Sequence, residues 1–251
     1  MPLFFTLGEN SEMIRLCLLL CAILLIAPQA WAQPAGCEYP ENGAYECKSG
    51  ELVLETGYFK NGMKNGEFKR YTFGGKLLVL ENYVDDKRQG EAKTFGENGQ
   101  VKFLRKYEND VKISDEAFWE DGSHKYKRMM DANGRQGTHY TYWENGNPRE
   151  MDEWKDDKLL KSSRYDEMGR IYISEEVNDD GTSYMWKYYK ENGQVSEEGP
   201  IGPRGYEDGH WKVYDEAGTL RMEGNYKSGK RTGEWKAYDE KGELVQTKIF
   251  E

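Results

Sequence analysis

The residues that could do chemistry in this chain are few, and their spacing limits what they can do. His124, His139 and His210 are its three histidines, separated by fifteen and seventy-one positions, with no cysteine close to any of them. A zinc site draws on closer or better-assorted ligands, so these read as polar strand residues. GNYKSGKR from Gly224 carries the G-x4-G-K of a phosphate loop, yet Arg231 stands where serine or threonine would hold magnesium, and no helix pattern follows. DANGRQGTHYTY from Asp131 opens like a calcium loop, but Gln136 and Tyr142 occupy the places of its glycine and closing glutamate. Acidic pairs such as Asp215-Glu216 and Asp239-Glu240 recur at equivalent places, whereas catalytic carboxylates are singular. The chain reads as a non-enzyme, with no catalytic, cofactor or metal residues.

Regular aromatic rows are what remains. Trp186, Trp211 and Trp235 each precede a glycine by seven residues, and Tyr189, Tyr214 and Tyr238 precede the same glycines by four. Three residues of offset in a strand put the two rows on opposite faces. Packing of copy against copy is the plain role for such rings. An open sheet cannot bury both faces, however, and exposed tyrosine and tryptophan anchor protein interfaces, so one row is the expected binding groove.

The elements that position these rings repeat. GHWKVYDEAGTL from Gly209 returns as GEWKAYDEKGEL from Gly233, and the turn glycines Gly75, Gly99, Gly122, Gly146, Gly169, Gly193, Gly218 and Gly242 follow one another at steps of 23 to 25 residues. Gly50 extends the series more loosely. Each copy reads as one β-hairpin: a short aromatic strand, an acidic or amide turn ending in glycine, and an alternating second strand. Polar links such as KNGMKN and KSGKRT lead to the next copy. One hairpin cannot stand alone in water, so about nine copies must lean on one another as a long, twisted, open antiparallel sheet. With strands about 4.8 Å apart it would extend roughly 80 to 90 Å.

The unit G-[EH]-W-K-x-Y-[DE]-E-x-G-x-L, followed by a tyrosine and a KNG- or KSGK-type link, resembles the MORN repeat (membrane occupation and recognition nexus). The form is that of the YwqK-type antitoxin-like proteins of bacteria. The pattern is sharpest in the copies from Gly66, Gly90, Gly137, Gly209 and Gly233, and degenerate near residues 113–136 and 161–184. The resemblance implies an all-β ladder that binds partners, and no reaction.

Residues 1–32 read as a signal peptide, with translation starting at Met13: an apolar run from Leu16 to Ala27 ends in Ala30-Trp31-Ala32, and the run is shorter than the about 20 residues that span a bilayer. Residues 33–42 are a short linker, and 43–251 the repeat domain. Export to the periplasm or the exterior leaves Cys37 and Cys47, whose simplest state there is a disulfide; a lipid-anchored Cys37 is the rival. The first 32 residues hold Glu9, Glu12 and Arg15, so removing them takes the formal charge from −10 to −9. That balance gives no electrostatic reason to seek nucleic acid, and none to seek anionic lipid. The expected function is a protein-binding scaffold, with an antitoxin-like role as its narrower form. The alternative is an envelope-associated module that meets lipid or glycan through its aromatic ladder.

Overall fold

The computed structural model describes residues 36–177 and 183–251. The chain divides into one unit over Met1–Glu38 and another over Tyr39–Glu251. The expected signal peptide, with Cys17 and Cys21, lies outside the described residues.

The second unit is all-β. Its strands are β1 (Gly43–Ser49), β2 (Leu52–Lys60), β3 (Met63–Lys64), β4 (Gly66–Tyr71), β5 (Leu77–Val84), β6 (Lys87–Arg88), β7 (Gly90–Phe95), β8 (Val101–Glu108), β9 (Val111–Phe118) and β10 (His124–Asp131). They continue as β11 (Gly134–Tyr142), β12 (Pro148–Lys155), β13 (Lys158–Tyr165), β14 (Ile171–Val177), β15 (Tyr184–Tyr189), β16 (Val195–Ile201), β17 (Gly209–Tyr214), β18 (Leu220–Lys227), β19 (Lys230–Tyr238) and β20 (Leu244–Phe250). Strands pair antiparallel in chain order from β1–β2 to β19–β20. β3 with β4, and β6 with β7, are single crossings broken by one residue, since β2 pairs with both of the first two and β5 with both of the second two. Among the described residues this makes one open meander of twenty strands.

Two kinds of turn alternate along it. On one rim the turn glycine takes φ between 75° and 88° in the eight copies from Gly75 to Gly242, a conformation that costs glycine nothing. The acid that opens the turn shapes it: Asp215 Oδ1 accepts from the amides of Ala217 and Thr219, both at 2.9 Å. Asp239 does the same for Lys241 and Glu243. The recurring acidic pairs are thus turn builders.

On the other rim five of the polar links are not connectors. They are two-residue hairpin turns with both residues at positive φ: Asn61-Gly62 (54°, 74°), Asp85-Asp86 (47°, 66°), Asn109-Asp110 (49°, 67°), Asp156-Asp157 (48°, 62°) and Ser228-Gly229 (50°, 79°). This type I′ geometry matches the twist of the strands it joins. At these five links the copies are therefore joined by the sheet's own hydrogen bonds, whereas a longer segment, residues 202–208, joins β16 to β17.

Each of these turns also grips the preceding one. The amides of Gly62, Asp86, Asp110, Asp157 and Gly229 donate to the carbonyls of Glu41, Lys64, Arg88, Arg135 and Glu207, at 2.7 to 3.1 Å. The carboxylates of Asp86 and Asp110 return the contact by accepting from the amides of Lys64 (2.7 Å) and Arg88 (3.0 Å). The same cations lie over rings nineteen residues on: Lys64 over Tyr83 (5.3 Å), Arg88 over Tyr107 (4.1 Å), Arg135 over Trp154 (3.4 Å) and Arg231 over Phe250 (5.9 Å).

One face, the ring face, carries the apolar core in two stretches. Near the start, Tyr45, Phe59, Phe68 and Tyr83 follow edge to face at centroid distances of 5.3 to 5.4 Å. Near the end, Trp211, Tyr226, Trp235 and Phe250 follow at 5.1 to 6.4 Å. In the first copy the core ring is Phe59, 1% exposed, while the neighbouring Tyr58 is 50% exposed. A register shift between Cys47 and Lys48 moves the pattern by one.

The buried rings need glycine opposite them. Phe68 lies on Gly57, Trp211 on Gly199 and Trp235 on Gly224, so closely that a methyl group on any of these glycines would overlap the ring. Gly224→Ala should therefore cost about 1–3 kcal/mol in a thermal or urea melt, the usual penalty of overpacking. Adding Trp235→Leu to it should cost less than the two single changes summed, because the overlap is then gone. Strict additivity would contradict the ring-on-glycine contact.

Candidate partner-binding surface

The six residues expected to bind a partner do not form one site. Trp211 and Trp235 are each 3% exposed, and their indole N–H groups donate to the carbonyls of Pro200 and Asn225, both at 3.0 Å. These two indoles are core, so of the two rows expected to offer a groove the tryptophan row is not the exposed one at Trp211 and Trp235; Gly199 and Gly224 admit them. Trp186 is half-buried and packs against the same core.

Tyr189, Tyr214 and Tyr238 lie half-buried on the opposite, tyrosine face. Tyr214 donates to Glu198 (2.7 Å) and Tyr238 to Glu223 (2.6 Å), while the Tyr189 hydroxyl meets Ser174 Oγ at 3.1 Å. Burial first, and then the Glu198 carboxylate, pushes the Tyr214 phenol up to about 12. Their hydroxyls are committed within the sheet. Cys37 and Cys47 are both disulfide-bonded.

The histidines are likewise committed. His124 meets Glu116 at 3.0 Å, His210 meets Glu223 at 3.1 Å, and His139 Nε2 donates to the Met129 carbonyl at 2.6 Å. Among the described residues no group of three or more His, Cys, Asp or Glu is placed to hold a metal ion. GNYKSGKR runs from β18 through the Ser228-Gly229 turn into β19.

The position that carries Phe68, Trp211 and Trp235 at the ends of the sheet is held in the middle by Asp115, His139 and Ser162, which are 7%, 7% and 2% exposed. Opposite them the glycine is gone as well: Arg105 faces Asp115, and Asp152 faces Ser162. At these positions the large ring and the glycine are both absent and charged groups fill the seam, whereas Trp186 keeps its ring opposite Glu175.

From β11 to β15 these substitutions align into one cross-strand row. His139 pairs with Asp152, Asp152 with Ser162, Ser162 with Glu175 and Glu175 with Trp186. Although the row contains Ser, His and Asp, the aspartate stands between the other two, so His139 is not placed to take a proton from Ser162. Beside it opens a hollow of about 220 Å³ lined by His139, Thr141, Glu150, Asp152 and Trp154, among others. Thr141 Oγ1, Asp152 Oδ1, Trp154 Nε1 and Ser162 Oγ are buried and have no hydrogen-bond partner among the described residues. Buried polar atoms are nearly always satisfied, so this concentration sets the seam apart from the aromatic stretches on either side of it.

A larger hollow, about 480 Å³, lies on the glycine-turn rim beside Gly96 and Trp119. Its one buried polar atom without a partner is Trp119 Nε1, so it carries less chemistry than the row.

Five segments of the chain match the MORN repeat variant: residues 64–85, 88–109, 135–156, 207–228 and 231–251. They contain the five copies in which the pattern is sharpest. Each MORN segment starts two residues after a tight turn or at the same register position, at Lys64, Arg88, Arg135, Glu207 and Arg231. Four of these five first residues are the cations that lie over rings. The hairpins between MORN segments keep the same geometry while departing from the pattern, and Ser162, Glu175 and Trp186 lie in them. No curated protein matches the chain. Among solved structures, the chain is similar to part of one titled "Crystal Structure of TcdB2-TccC3-Cdc42", at 11% identity over 81% of this chain and 13% of that one, with a TM-score of 0.19. A score that low carries no argument.

Burial holds the Glu175 carboxyl above the ordinary glutamate range, with Arg164 opposing the shift and Asp152 and Glu150 adding to it. A raised folded value means that Glu175 favours folding below its unfolded value, and that this benefit is lost as pH rises through the folded value. Glu175→Gln should therefore melt higher than the parent chain at neutral pH, and the gap should close below about pH 4. A gap that does not change with pH would contradict this.

Proposed function

We propose that the chain is a non-catalytic, exported scaffold that binds another protein. MORN repeats are in general interaction modules. The observation that carries the reading is the run of five segments matching the MORN repeat variant within one open sheet. An acidic chain of formal charge −10 favours a protein over an anionic membrane. An antitoxin-like role is the narrower form of this reading and rests on the YwqK-type resemblance.

Crosslinking the full chain in its own envelope, followed by sequencing of the recovered N-terminus, tests both halves. The expected product starts at Gln33, has Cys37 and Cys47 joined, and is crosslinked to a protein. A cytosolic product starting at Met13, with no crosslinked protein, would overturn the proposal.

A further inference from the structure

We propose that β20 is a self-pairing edge: two copies of the chain join antiparallel through it, with Thr247 on the two-fold axis, into one continuous sheet. This goes beyond the scaffold reading and does not rest on it. Among the described residues β20 pairs with β19 alone, so its outer row of amides and carbonyls is open. Sheets ordinarily blunt such an edge with charge, proline or a short strand. The strand at the opposite edge, β1, carries Glu46 and Lys48, both exposed. LVQTKIF in β20 runs for seven residues without proline, and its Leu244, Val245 and Ile249 are 54%, 63% and 66% exposed.

Two departures from the repeat mark this strand. Where β18 carries Arg221, Glu223 and Asn225, β20 carries Val245, Thr247 and Ile249 at the equivalent places. The central one of these ends a row of charges. On the tyrosine face Lys187 pairs with Glu198, Glu198 with Lys212, Lys212 with Glu223, and Glu223 with Lys236. Lys236 then pairs with Thr247, where the alternation calls for an acid. A residue on a two-fold axis meets its own copy, so an acid there would face an acid, and like charges directly opposite destabilise a sheet. Threonine opposite threonine is a favoured cross-strand pair.

The strand is also its own complement. About Thr247, Val245 lies across from Ile249 of the second copy and Gln246 from Lys248, with Leu244 and Phe250 facing at the ends, so apolar meets apolar and polar meets polar. Other registers lose this match. An axis at Gln246 would set Ile249 against Glu243, and an axis at Lys248 would bring two ammonium groups face to face. The cost of the Thr247 register falls at the tips, where Glu243 meets Glu251 of the second copy; both are exposed, and salt screens them.

Sedimentation equilibrium of the full chain tests this. The parent should pass from monomer to dimer as its concentration rises to about 0.1 mM, where an association of micromolar strength is nearly complete. Thr247→Glu restores the alternation beside Lys236 within each copy, so it should melt no lower than the parent, and it should weaken the dimer about tenfold or more by setting two carboxylates face to face. Register is read by mild oxidation and mass spectrometry of the linked peptides. Thr247→Cys should give a dimer crosslinked at that position, because directly opposed residues lie about 4.5–5.5 Å apart, within disulfide reach. Ile249→Cys, which faces Val245, should not. A parent chain that stays monomeric, a folded Thr247→Glu chain that associates like the parent, or crosslinking of Ile249→Cys as readily as Thr247→Cys would each overturn the proposal. Should Thr247→Glu unfold, the cysteine pair decides alone.

Discussion

Everything in this sheet depends on a two-residue turn in which neither residue has to be glycine. At Asp85-Asp86, Asn109-Asp110 and Asp156-Asp157 both φ angles are positive, a region that residues with a Cβ enter reluctantly. What offsets the strain is the contact each turn makes with its predecessor. Asp110 gives its amide to the Arg88 carbonyl at 3.0 Å, and its carboxylate takes both the Arg88 amide (3.0 Å) and Nε (2.9 Å). The ion pair is half-exposed and is worth little by itself. The backbone bonds and the fixed register matter more. A one-residue slip would send Phe59, Phe68, Trp211 and Trp235 to the wrong face.

With register fixed on one rim, the faces divide their work. The ring face supplies what core there is, and it does so through a trade between neighbouring strands: a fully buried ring where the opposite residue is Gly57, Gly199 or Gly224, a small or charged residue at Asp115 and Ser162 where it is not, and a half-buried ring at Trp186 opposite Glu175. The end copies took the ring, and the copies between 111 and 177 took the charges. The aromatic core and the polar seam are thus placed in different copies of one repeat. In a linear array each copy contacts only its neighbours, so the middle can hold unpaired groups without unfolding the ends.

Much of this was legible in the residues. The period near 24, the turn glycines, the opposite faces of the tryptophan and tyrosine rows, and the five sharpest copies all follow from spacing. The links were misread as connectors even though KNGMKN and KSGKRT carry Asn61-Gly62 and Ser228-Gly229, the glycine sign of a tight hairpin; at Asn109-Asp110 and Asp156-Asp157, which lack that sign, only the pairing of Glu108 with Val111 and of Lys155 with Lys158 reveals them. The burial of Trp211 was hidden for a related reason. The glycine that makes room for it stands on the preceding strand, twelve residues back and outside the conspicuous motif. The copies with Asp115, His139 and Ser162 look merely degenerate along the chain. The polar seam emerges only when strands are laid side by side in register, which brings Asp152 against His139 and Glu175 against Ser162.

Whether the copies form one continuous sheet or a string of separate hairpins can be read amide by amide. Native-state hydrogen exchange of the full chain should show the amides of Asp86, Asp110, Asp157 and Gly229 protected to nearly the same degree as the flanking strand amides, because each donates to a carbonyl of the preceding copy. Exchange of these four at the rate of an open loop, with the strands on either side still protected, would contradict it.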